Sequence, residues 1–584
     1  MKDRTKPGRQ RSARRRRSDV VAAFVLALTT GCVSDSANSS EELAVSRQEV
    51  ASPLGSYLAG RHARSSRDTK SAVDFYNAAL AEDPGNRPLQ HRTFLLMLAE
   101  GRFDGALDLA EALMADPKTS RMAELVLALE AIRESNYDDA ERRIGTPPKR
   151  GFGALLKPLI LAWIEAGRSD TAAAIETLEV LRKSDAFVAF RNYHAALIHD
   201  FQGDLPAARD NYEATRKKGG VTTSITLAYG SLLRRLGEPE AAMAAYRQLL
   251  ERSPENPAVL EAVADLEAGR PATQLVASVN EGVAEALYGA AGALAQERGG
   301  EAARIYANLA LHMRPDFSAA RMLLGEIMER DRRWADAIEI YRKVSKSSPY
   351  YWEARIRVAT SLDRLDRVDE AIETLTRMTE VRTDDSVALI TLADLLRARE
   401  RYSDAAAAYD RALARVVEPE ERHWTLFYAR GIARERIKEW ARAEADFLKA
   451  LELRPDHPLV LNYLGYSWVE QGRNIDRARK MIEKAVAQRP NDGYIVDSLG
   501  WVLYRLADYE GAVKYLERAV ELKPQDPVIN DHLGDAFWRV GRRLEARFQW
   551  QHALALDPEE SEIPAIKTKL ERGLASVASS DGGG

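Results

Sequence analysis

The residue types that usually carry enzymatic chemistry are scattered through this sequence. Its nine histidines are spread along 584 residues, and His194 and His199 lie five apart, so they do not share a helix face well. We interpret both as solvated or locally hydrogen-bonded. The 88 acidic residues form many close pairs by chance on helix surfaces. The sequence contains no Gly-rich phosphate loop, GxSxG motif or HExxH motif, so we predict no catalytic residues, no cofactor and no metal site.

The single cysteine, Cys32, excludes an internal disulfide and a metal site with several thiolate ligands. It follows a basic run over residues 1–19 and a nine-residue apolar segment, Val20–Leu28. This layout is typical of a secretory signal peptide, and the apolar segment is too short to span a membrane as a mature helix. The location of Cys32, directly after this segment, therefore suggests a role in the processing of an exported protein.

The four residues that end at Cys32, with the sequence TTGC, resemble the lipobox of bacterial lipoproteins. The resemblance implies that residues 1–31 are removed and that Cys32 becomes the lipid-modified first residue. The usual Leu of the motif stands one place early, at Leu28. The alternative is an ordinary signal peptide cut nearby, with Cys32 incidental. In bacterial lipoproteins an Asp directly after the Cys often signals retention in the inner membrane. This sequence has Val33 at that position, so the resemblance favours a lipid anchor in the outer membrane, facing the periplasm.

Charge is distributed unevenly along the chain. The formal net charge is −4, but residues 1–31 carry nine Lys/Arg and two Asp. Removal of that segment would leave the remaining chain at −11. Binding to a nucleic-acid backbone needs a basic stripe, so this balance argues against nucleic acid as a partner.

A helical hairpin is clearest over Asn491–Pro524. Apolar residues recur there at three and four spacing: Ile495, Leu499, Val502, Leu503, Val513, Leu516 and Val520. This period predicts two amphipathic helices, roughly Gly493–Leu506 and Tyr509–Leu522. Gly500 and Ala512 are small where the two helices must approach closely, and Pro524 ends the unit.

The small residues of this hairpin recur with a period of 34 residues and few insertions. The equivalents of Ala512 are Ala72, Ala106, Ala140, Ala174, Ala208, Ala242, Ala303, Ala337, Ala371, Ala405, Ala443, Ala478 and Ala546. This pattern resembles the tetratricopeptide repeat family. The resemblance implies an all-α superhelical solenoid of about fourteen helix-turn-helix repeats, in which each repeat contacts only its neighbours.

The repeat pattern divides the chain into segments. We predict a lipoprotein-type signal peptide over 1–31, a flexible tether over 32–51, a first array of six repeats over 52–256, a degenerate repeat or hinge over 257–280, a second array of eight repeats over 281–558, a capping helix over 559–574 and a disordered tail over 575–584. The capping helix would cover the last apolar face of the solenoid. The tail is small and polar, as disordered termini usually are.

Candidate binding residues follow from the family resemblance. In tetratricopeptide repeats the first helix of each hairpin lines the concave groove. Its groove positions in the last three full repeats hold Asn462, Tyr466, Asp497, Trp501, Tyr504, Arg505, Asp531, Asp535 and Trp538. Aromatic rings on a rigid groove offer a large contact area at low entropic cost, and the polar side chains can pair with an extended peptide.

The tryptophans favour the second array as the binding surface, because eight of the nine lie between Trp334 and Trp550. The alternative for each aromatic residue is packing between neighbouring helices. We predict packing for Trp468 and Trp550. For Trp501, Tyr504 and Trp538 both roles remain open.

The C-terminal repeats carry a second resemblance. The segments LNYLGYSWVEQGRNIDRARKMIEKAV, GYIVDSLGWVLYRLADYEGAVKYLERAVELKP and INDHLGDAFWRVGRRLEARFQWQHALALDP are similar to the last repeats of bacterial repeat lipoproteins. Some of those lipoproteins act as adaptors for periplasmic carboxyl-terminal processing proteases. The resemblance implies a non-enzymatic scaffold that brings a protease to cell-wall hydrolases. The alternatives are an assembly scaffold for polysaccharide or protein export at the outer membrane, and an enzyme with an unrecognised site, for which only residues 257–280 have room.

Overall fold

The computed structural model describes residues 52–114, 121–147, 151–218, 221–297, 300–382 and 386–575. Within these ranges every long regular element is an α-helix, and no strand occurs. None of the helices in these ranges has both the length and the apolar character that crossing a membrane requires. The predicted signal peptide, Cys32, the whole predicted tether and all of the predicted C-terminal tail except Ala575 lie outside the described residues.

The thirty α-helices follow one another along the chain and are numbered here in that order. They are α1 Pro53–Ser65, α2 Thr69–Glu82, α3 Arg87–Ala99, α4 Phe103–Leu113, α5 Arg121–Arg133, α6 Tyr137–Ile144, α7 Gly153–Gly167, α8 Thr171–Leu178, α9 Asp185–Phe201, α10 Leu205–Lys217, α11 Thr223–Arg235, α12 Pro239–Leu250, α13 Pro257–Glu267, α14 Val279–Gln296, α15 Gly300–Met313, α16 Ser318–Arg330, α17 Trp334–Arg342, α18 Tyr351–Arg364, α19 Val368–Val381, α20 Ser386–Ala398, α21 Tyr402–Leu413, α22 Trp424–Arg436, α23 Trp440–Leu453, α24 Pro458–Glu470, α25 Ile475–Gln488, α26 Gly493–Arg505, α27 Tyr509–Leu522, α28 Pro527–Arg539, α29 Arg543–Ala555 and α30 Ile563–Arg572.

Successive helices pair as thirteen hairpins within the described residues, five before α13 and eight from α14 to α29. The all-α repeat fold predicted from the 34-residue period is therefore confirmed. The hairpin α26–α27 shows the local reasons. Asp508 caps the start of α27 by accepting a hydrogen bond from the Gly511 amide at 3.0 Å. A Cβ atom at Gly500 would lie 2.5 Å from the Leu516 side chain, so the helices approach this closely only because that position has no side chain.

The small residue on the second helix is equally constrained, because Ala512 is fully buried between the two helices. We expect Ala512→Leu to lower the free energy of unfolding by about 1–3 kcal/mol, since the added methylene groups would overpack the hairpin. Thermal unfolding would measure this loss. Ala555→Leu at an exposed position of α29 is the matched control. An unchanged transition for Ala512→Leu would show that the assigned repeat register is wrong.

The described residues up to Thr93 and those from Phe94 onwards belong to two compact units. In the described part of the first unit, α1 and α2 pair, and Tyr76 is buried against Gly60. Arg92 donates a hydrogen bond to the Tyr57 hydroxyl at 3.1 Å. In the second unit, one apolar core extends from α14 to α22 and another from α23 to α30. The second core underlies the predicted binding residues.

The packing of each hairpin on the next one along the chain is interrupted after α13 in the second unit. Helix α13 packs on α11 and α12, whereas α14 packs on α7 and α9 and pairs with α15 as a hairpin. Residues 268–278, which connect α13 to α14, contain no helix. The expectation that each repeat contacts only its neighbours is therefore wrong for α14 and α15. The reason is that the first helices of the α5–α10 hairpins carry apolar side chains, and packing against other helices removes these side chains from solvent.

Candidate binding surface on the last three hairpins

The nine predicted binding residues lie on the first helices of the last three hairpins. Asn462 and Tyr466 are on α24, four residues of the set are on α26, and Asp531, Asp535 and Trp538 are on α28. Spacings of three and four place the residues of each helix on one face. Because α24 packs beside α26 and α26 beside α28, the three faces adjoin. We call the surface formed by these nine residues the terminal groove.

An aromatic stack occupies the middle of the terminal groove. The ring of Trp501 is parallel to that of Tyr504, with centroids 4.8 Å apart and an angle of 5° between the planes. It also stacks on His532, with centroids 4.0 Å apart. The Trp501 indole N–H donates to a Glu470 carboxylate oxygen at 2.5 Å. Three consecutive first helices thus fix one half-buried indole ring, which gives the surface a preorganised aromatic centre.

A buried pair, His532 and Asp497, lies beneath this stack. The Nδ1 atom of His532 lies 2.9 Å from the Asp497 carboxylate, and both side chains are 9% exposed. Burial lowers the pKa of His532, but the Asp497 carboxylate together with Asp531 and Asp535 raises it, and the net pKa is raised. Asp497 therefore orients the imidazole that Trp501 stacks on, and its carboxylate is already engaged within the chain.

Charged side chains form the margin of the terminal groove. Arg505 lies 3.7 Å from the same Glu470 carboxylate that binds Trp501. The Arg539 guanidinium donates to the Tyr504 hydroxyl at 3.2 Å. Arg505 is exposed, so its guanidinium remains accessible to a partner beside the aromatic stack.

The last helix of the described chain, α30, closes one end of the terminal groove. Its Lys569 ammonium donates to Asp531 at 2.6 Å and to Asp535 at 2.8 Å. The other oxygen of Asp535 accepts from the Trp550 indole N–H at 2.9 Å. The Trp538 indole N–H donates to the Leu574 carbonyl at 3.2 Å. Asp535 and Trp538 are thus partly covered by the chain's own C-terminal segment.

Two polar acceptors on the terminal groove have no hydrogen-bond partner among the described residues. They are the side-chain oxygen of Asn462 and the Oδ1 atom of Asp531, and both atoms are shielded from solvent. Shielded acceptors without a donor cost free energy in the folded chain. Tyr466 lies one turn from Asn462 and is half-buried. Burial raises the pKa of the Tyr466 phenol well above its ordinary value, and Glu470 and Asp497 add to this effect, so the phenol stays a neutral donor.

Sequence reasoning missed four residues that organise this surface: Glu470, His532, Arg539 and Lys569. Glu470 had a detectable signal, because it stands at the α24 position equivalent to Arg505 and carries the opposite charge. The signal for Lys569 was weaker: it stands 34 residues, one repeat period, after Asp535 and carries the opposite charge. The packing role predicted for Trp468 and Trp550 is confirmed, because both side chains are buried.

The described residues also contain no group of three or more His, Cys, Asp and Glu side chains placed to hold a metal ion. His194, interpreted from sequence as solvated or locally bonded, is buried and lies 3.0 Å from the Trp163 indole nitrogen, which donates to it. The terminal groove offers surfaces for stacking, ion pairing and hydrogen bonding.

Comparison with known families agrees with this architecture. Two family models described as tetratricopeptide repeat match the chain, one at residues 193–257, 290–351, 390–458, 428–474 and 464–527 and the other at residues 329–395. A TPR repeat-containing protein of Pseudomonas aeruginosa is 30% identical over 196 residues. That match covers 33% of this chain and 32% of the relative, so the similarity spans about a third of the relative's length.

Solved structures of repeat proteins were also found. The Cut9–Hcn1 hetero-tetramer of the APC/C aligns with 91% of this chain and 98% of its own at 15% identity and a TM-score of 0.37. YrrB, described as a TPR protein with an unusual peptide-binding site, aligns with 34% of this chain and 99% of its own at 21% identity and a TM-score of 0.27. A MamA protein from Desulfovibrio magneticus aligns with 30% of this chain and 96% of its own at 20% identity and a TM-score of 0.26.

Proposed function

Because this chain belongs to the tetratricopeptide repeat family, whose fold is generally a non-catalytic scaffold for protein–protein interaction, we propose that it binds a partner protein through the terminal groove. One observation carries the proposal. The groove combines a fixed, half-buried aromatic stack with the exposed Arg505 guanidinium beside it. A partner segment can cover the rings and pair with Arg505. Little ordering entropy is lost, because the receiving side chains are already held in place.

The location proposed for this activity is the periplasmic face of the outer membrane. Support comes from the basic and apolar N-terminal segments and from the TTGC sequence that ends at Cys32. Lipid attachment at Cys32 would hold the repeats near the membrane surface. Residues 33–51, treated as a flexible coil, give a root-mean-square reach of roughly 25 Å. The partner proposed there is a carboxyl-terminal processing protease, which the scaffold would bring to cell-wall hydrolases.

The test is affinity capture of the full, membrane-anchored chain from crosslinked cells, comparing the parent protein with Trp501→Ala plus Trp538→Ala. Central aromatic residues of an interface typically contribute 2 kcal/mol or more when truncated, so capture of the partner should fall at least about tenfold. A matched control is Trp334→Ala plus Trp440→Ala, because both of these tryptophans begin second helices of their hairpins. Circular dichroism should show the same helix content in both double variants.

The identity of the captured protein separates the alternatives. Enrichment of a processing protease or wall hydrolase, lost in the Trp501/Trp538 variant and kept in the control, would support the adaptor role. A captured outer-membrane barrel or polysaccharide synthase would replace it with a scaffold for export. Capture that the Trp501/Trp538 variant does not reduce would refute the terminal groove as the binding site.

A further inference from the structure

A second groove exists on the first helices of the hairpins α5–α10, and it is filled. The positions equivalent to Asp497 and Trp501 in these repeats are all apolar or aromatic. They are Leu125, Leu129, Leu159, Trp163, Tyr193 and Leu197, and we call this surface the first-array groove. All six side chains are buried. The equivalent positions of the terminal groove carry mainly polar or half-exposed side chains, so the two grooves differ in what covers them.

Helix α14 covers the centre of the first-array groove. A Cβ atom at Gly282 would lie 2.3 Å from the Trp163 ring, so the two helices touch here only because residue 282 has no side chain. Phe190 lies against Gly289 of the same helix. The Tyr193 hydroxyl donates to the Glu285 carboxylate at 3.2 Å. Small residues along one face of α14 thus receive the aromatic side chains of α7 and α9.

Helix α15 and the start of α17 continue the cover towards α3 and α5. The Asn308 amide donates to the Leu98 and Ala99 carbonyl oxygens at 3.1 and 2.9 Å. The His312 ring stacks on Phe103 with centroids 4.1 Å apart. Arg333, directly before α17, forms a bidentate pair with Glu100, with both distances 2.7 Å. These contacts join residues more than 200 positions apart in the sequence.

The contact between α14–α15 and the first-array groove has the features of an interface between separable parts. The hairpin stacking stops after α13, and residues 268–278 connect the two sides without a helix. The contact buries ionisable groups, which is typical of interfaces between modules more than of a single core. Burial raises the pKa of Glu285 to about 7, against the opposing effects of Arg314 and Tyr193 and with a further contribution from Glu281.

We propose that the first-array groove is a helix-binding site that the chain's own helices α14 and α15 occupy in cis, forming a latch that can open at residues 268–278. The ligand it fits is an α-helix with small residues along one face, such as Val279–Gln296. While the latch is closed, the first-array groove is unavailable to other proteins. This proposal concerns a different surface from the terminal groove and does not depend on the partner proposed there.

The test measures the distance between the two sides of the latch in the full chain. Spin labels would be attached in a Cys32→Ser background at Glu134→Cys, which follows α5, and Asp316→Cys, which follows α15; both residues are exposed. Pulsed electron paramagnetic resonance should give one narrow distance for the parent protein. Gly282→Leu should add a longer, broader distance, because the new side chain must displace Trp163. Gly292→Leu is the control on the same helix, since a Cβ atom there meets nothing within 4 Å among the described residues.

A second variant distinguishes opening of the latch from a folding defect caused by Gly282→Leu. Asn308→Asp keeps the volume of the side chain but places a carboxylate against the Leu98 and Ala99 carbonyl oxygens, so it should open the latch by repulsion. A labelled peptide with the sequence Val279–Gln296 should bind both open variants at least tenfold more tightly than the parent or Gly292→Leu. Two results would overturn the proposal: variants that keep the parent distance and bind no peptide, or variants that open only when circular dichroism shows helix loss across the chain.

Discussion

Arg333→Met is expected to destabilise the contact between α17 and the turn after α3 by about 3–5 kcal/mol. The change leaves the Glu100 carboxylate without its bidentate partner, and that side chain is only 2% exposed. Removing one member of a buried ion pair is costly because the remaining charge stays desolvated. The loss should appear as faster hydrogen exchange in α3, α15 and α17, since a chain of this size need not unfold in one step.

The repeat architecture supplies a matched control for this experiment. Arg367 stands 34 residues after Arg333 and makes the same local contact, to Glu370 at 2.6 Å, where Arg333 contacts Asp336. Both partners of the Arg367 pair are exposed, at 44% and 50%. Arg367→Met should therefore change stability little. The difference between the two variants measures what the burial of Arg333 and its pair with Glu100 add together to the local contact.

A double variant tests the physical cause. Glu100→Leu combined with Arg333→Met replaces the ion pair by two apolar side chains, which in buried sites is often nearly neutral. We expect most of the loss caused by Arg333→Met to be recovered. If the double variant is as unstable as the single one, desolvation of Glu100 is not the cause. The contact would then depend on the packing of the Arg333 side chain.

The helix bounds and close contacts within one hairpin were predictable from the sequence, because the residues that determine them lie near one another in the chain. Gly500 and Ala512 are small for a reason that lies within one hairpin, and both ends of the predicted helices agree with the structure to within a residue. The cover over the first-array groove was not predicted, because a 34-residue period describes only contacts between successive repeats. A signal was present nevertheless. Leu129, Trp163 and Leu197 are apolar at the position that Trp501 occupies in the terminal groove, so that face required burial.

The terminal groove shows a different limit of sequence reasoning. The family resemblance placed nine residues on one surface, and the structure brings their helices together. It could not show that Asp497 is engaged by His532, or that Asp535 is engaged by Lys569 and Trp550. The pairings with His532 and Lys569 reach beyond one hairpin, and their geometry depends on how far successive helices rotate. Repeat position predicts which residues face the groove, whereas the neighbouring repeat decides which of them remain free.

Lys569→Met is the second change for which we expect a large effect, with a loss of about 2–4 kcal/mol at the C-terminal end of the chain. The Lys569 ammonium is the cation shared by Asp531 and Asp535, whose side chains are 18% and 6% exposed. Without it two carboxylates of like charge remain close together and poorly solvated. Lys567→Met, two residues earlier at an exposed position of α30, is the matched control and should change stability little.

The loss caused by Lys569→Met should depend on pH in a defined direction. Burial already raises the pKa of Asp535, with Asp531 adding to it and Lys569 and Trp550 opposing it, so removal of the ammonium raises that pKa further. A carboxyl group whose pKa is higher in the folded than in the unfolded chain takes up its proton first in the folded chain. Stability of the variant therefore falls as pH rises through the raised pKa, and acidification reduces the loss.

Thermal unfolding of the parent, Lys569→Met and Lys567→Met at pH 4.5 and pH 7.5 would measure this dependence. The midpoint of Lys569→Met should fall further below the parent at pH 7.5 than at pH 4.5. Equal deficits at the two pH values would mean that α30 is held by the packing of its apolar side chains and that the two carboxylates contribute nothing. In that case the cover over Trp538 would depend on that packing and on the hydrogen bond from its indole N–H to the Leu574 carbonyl.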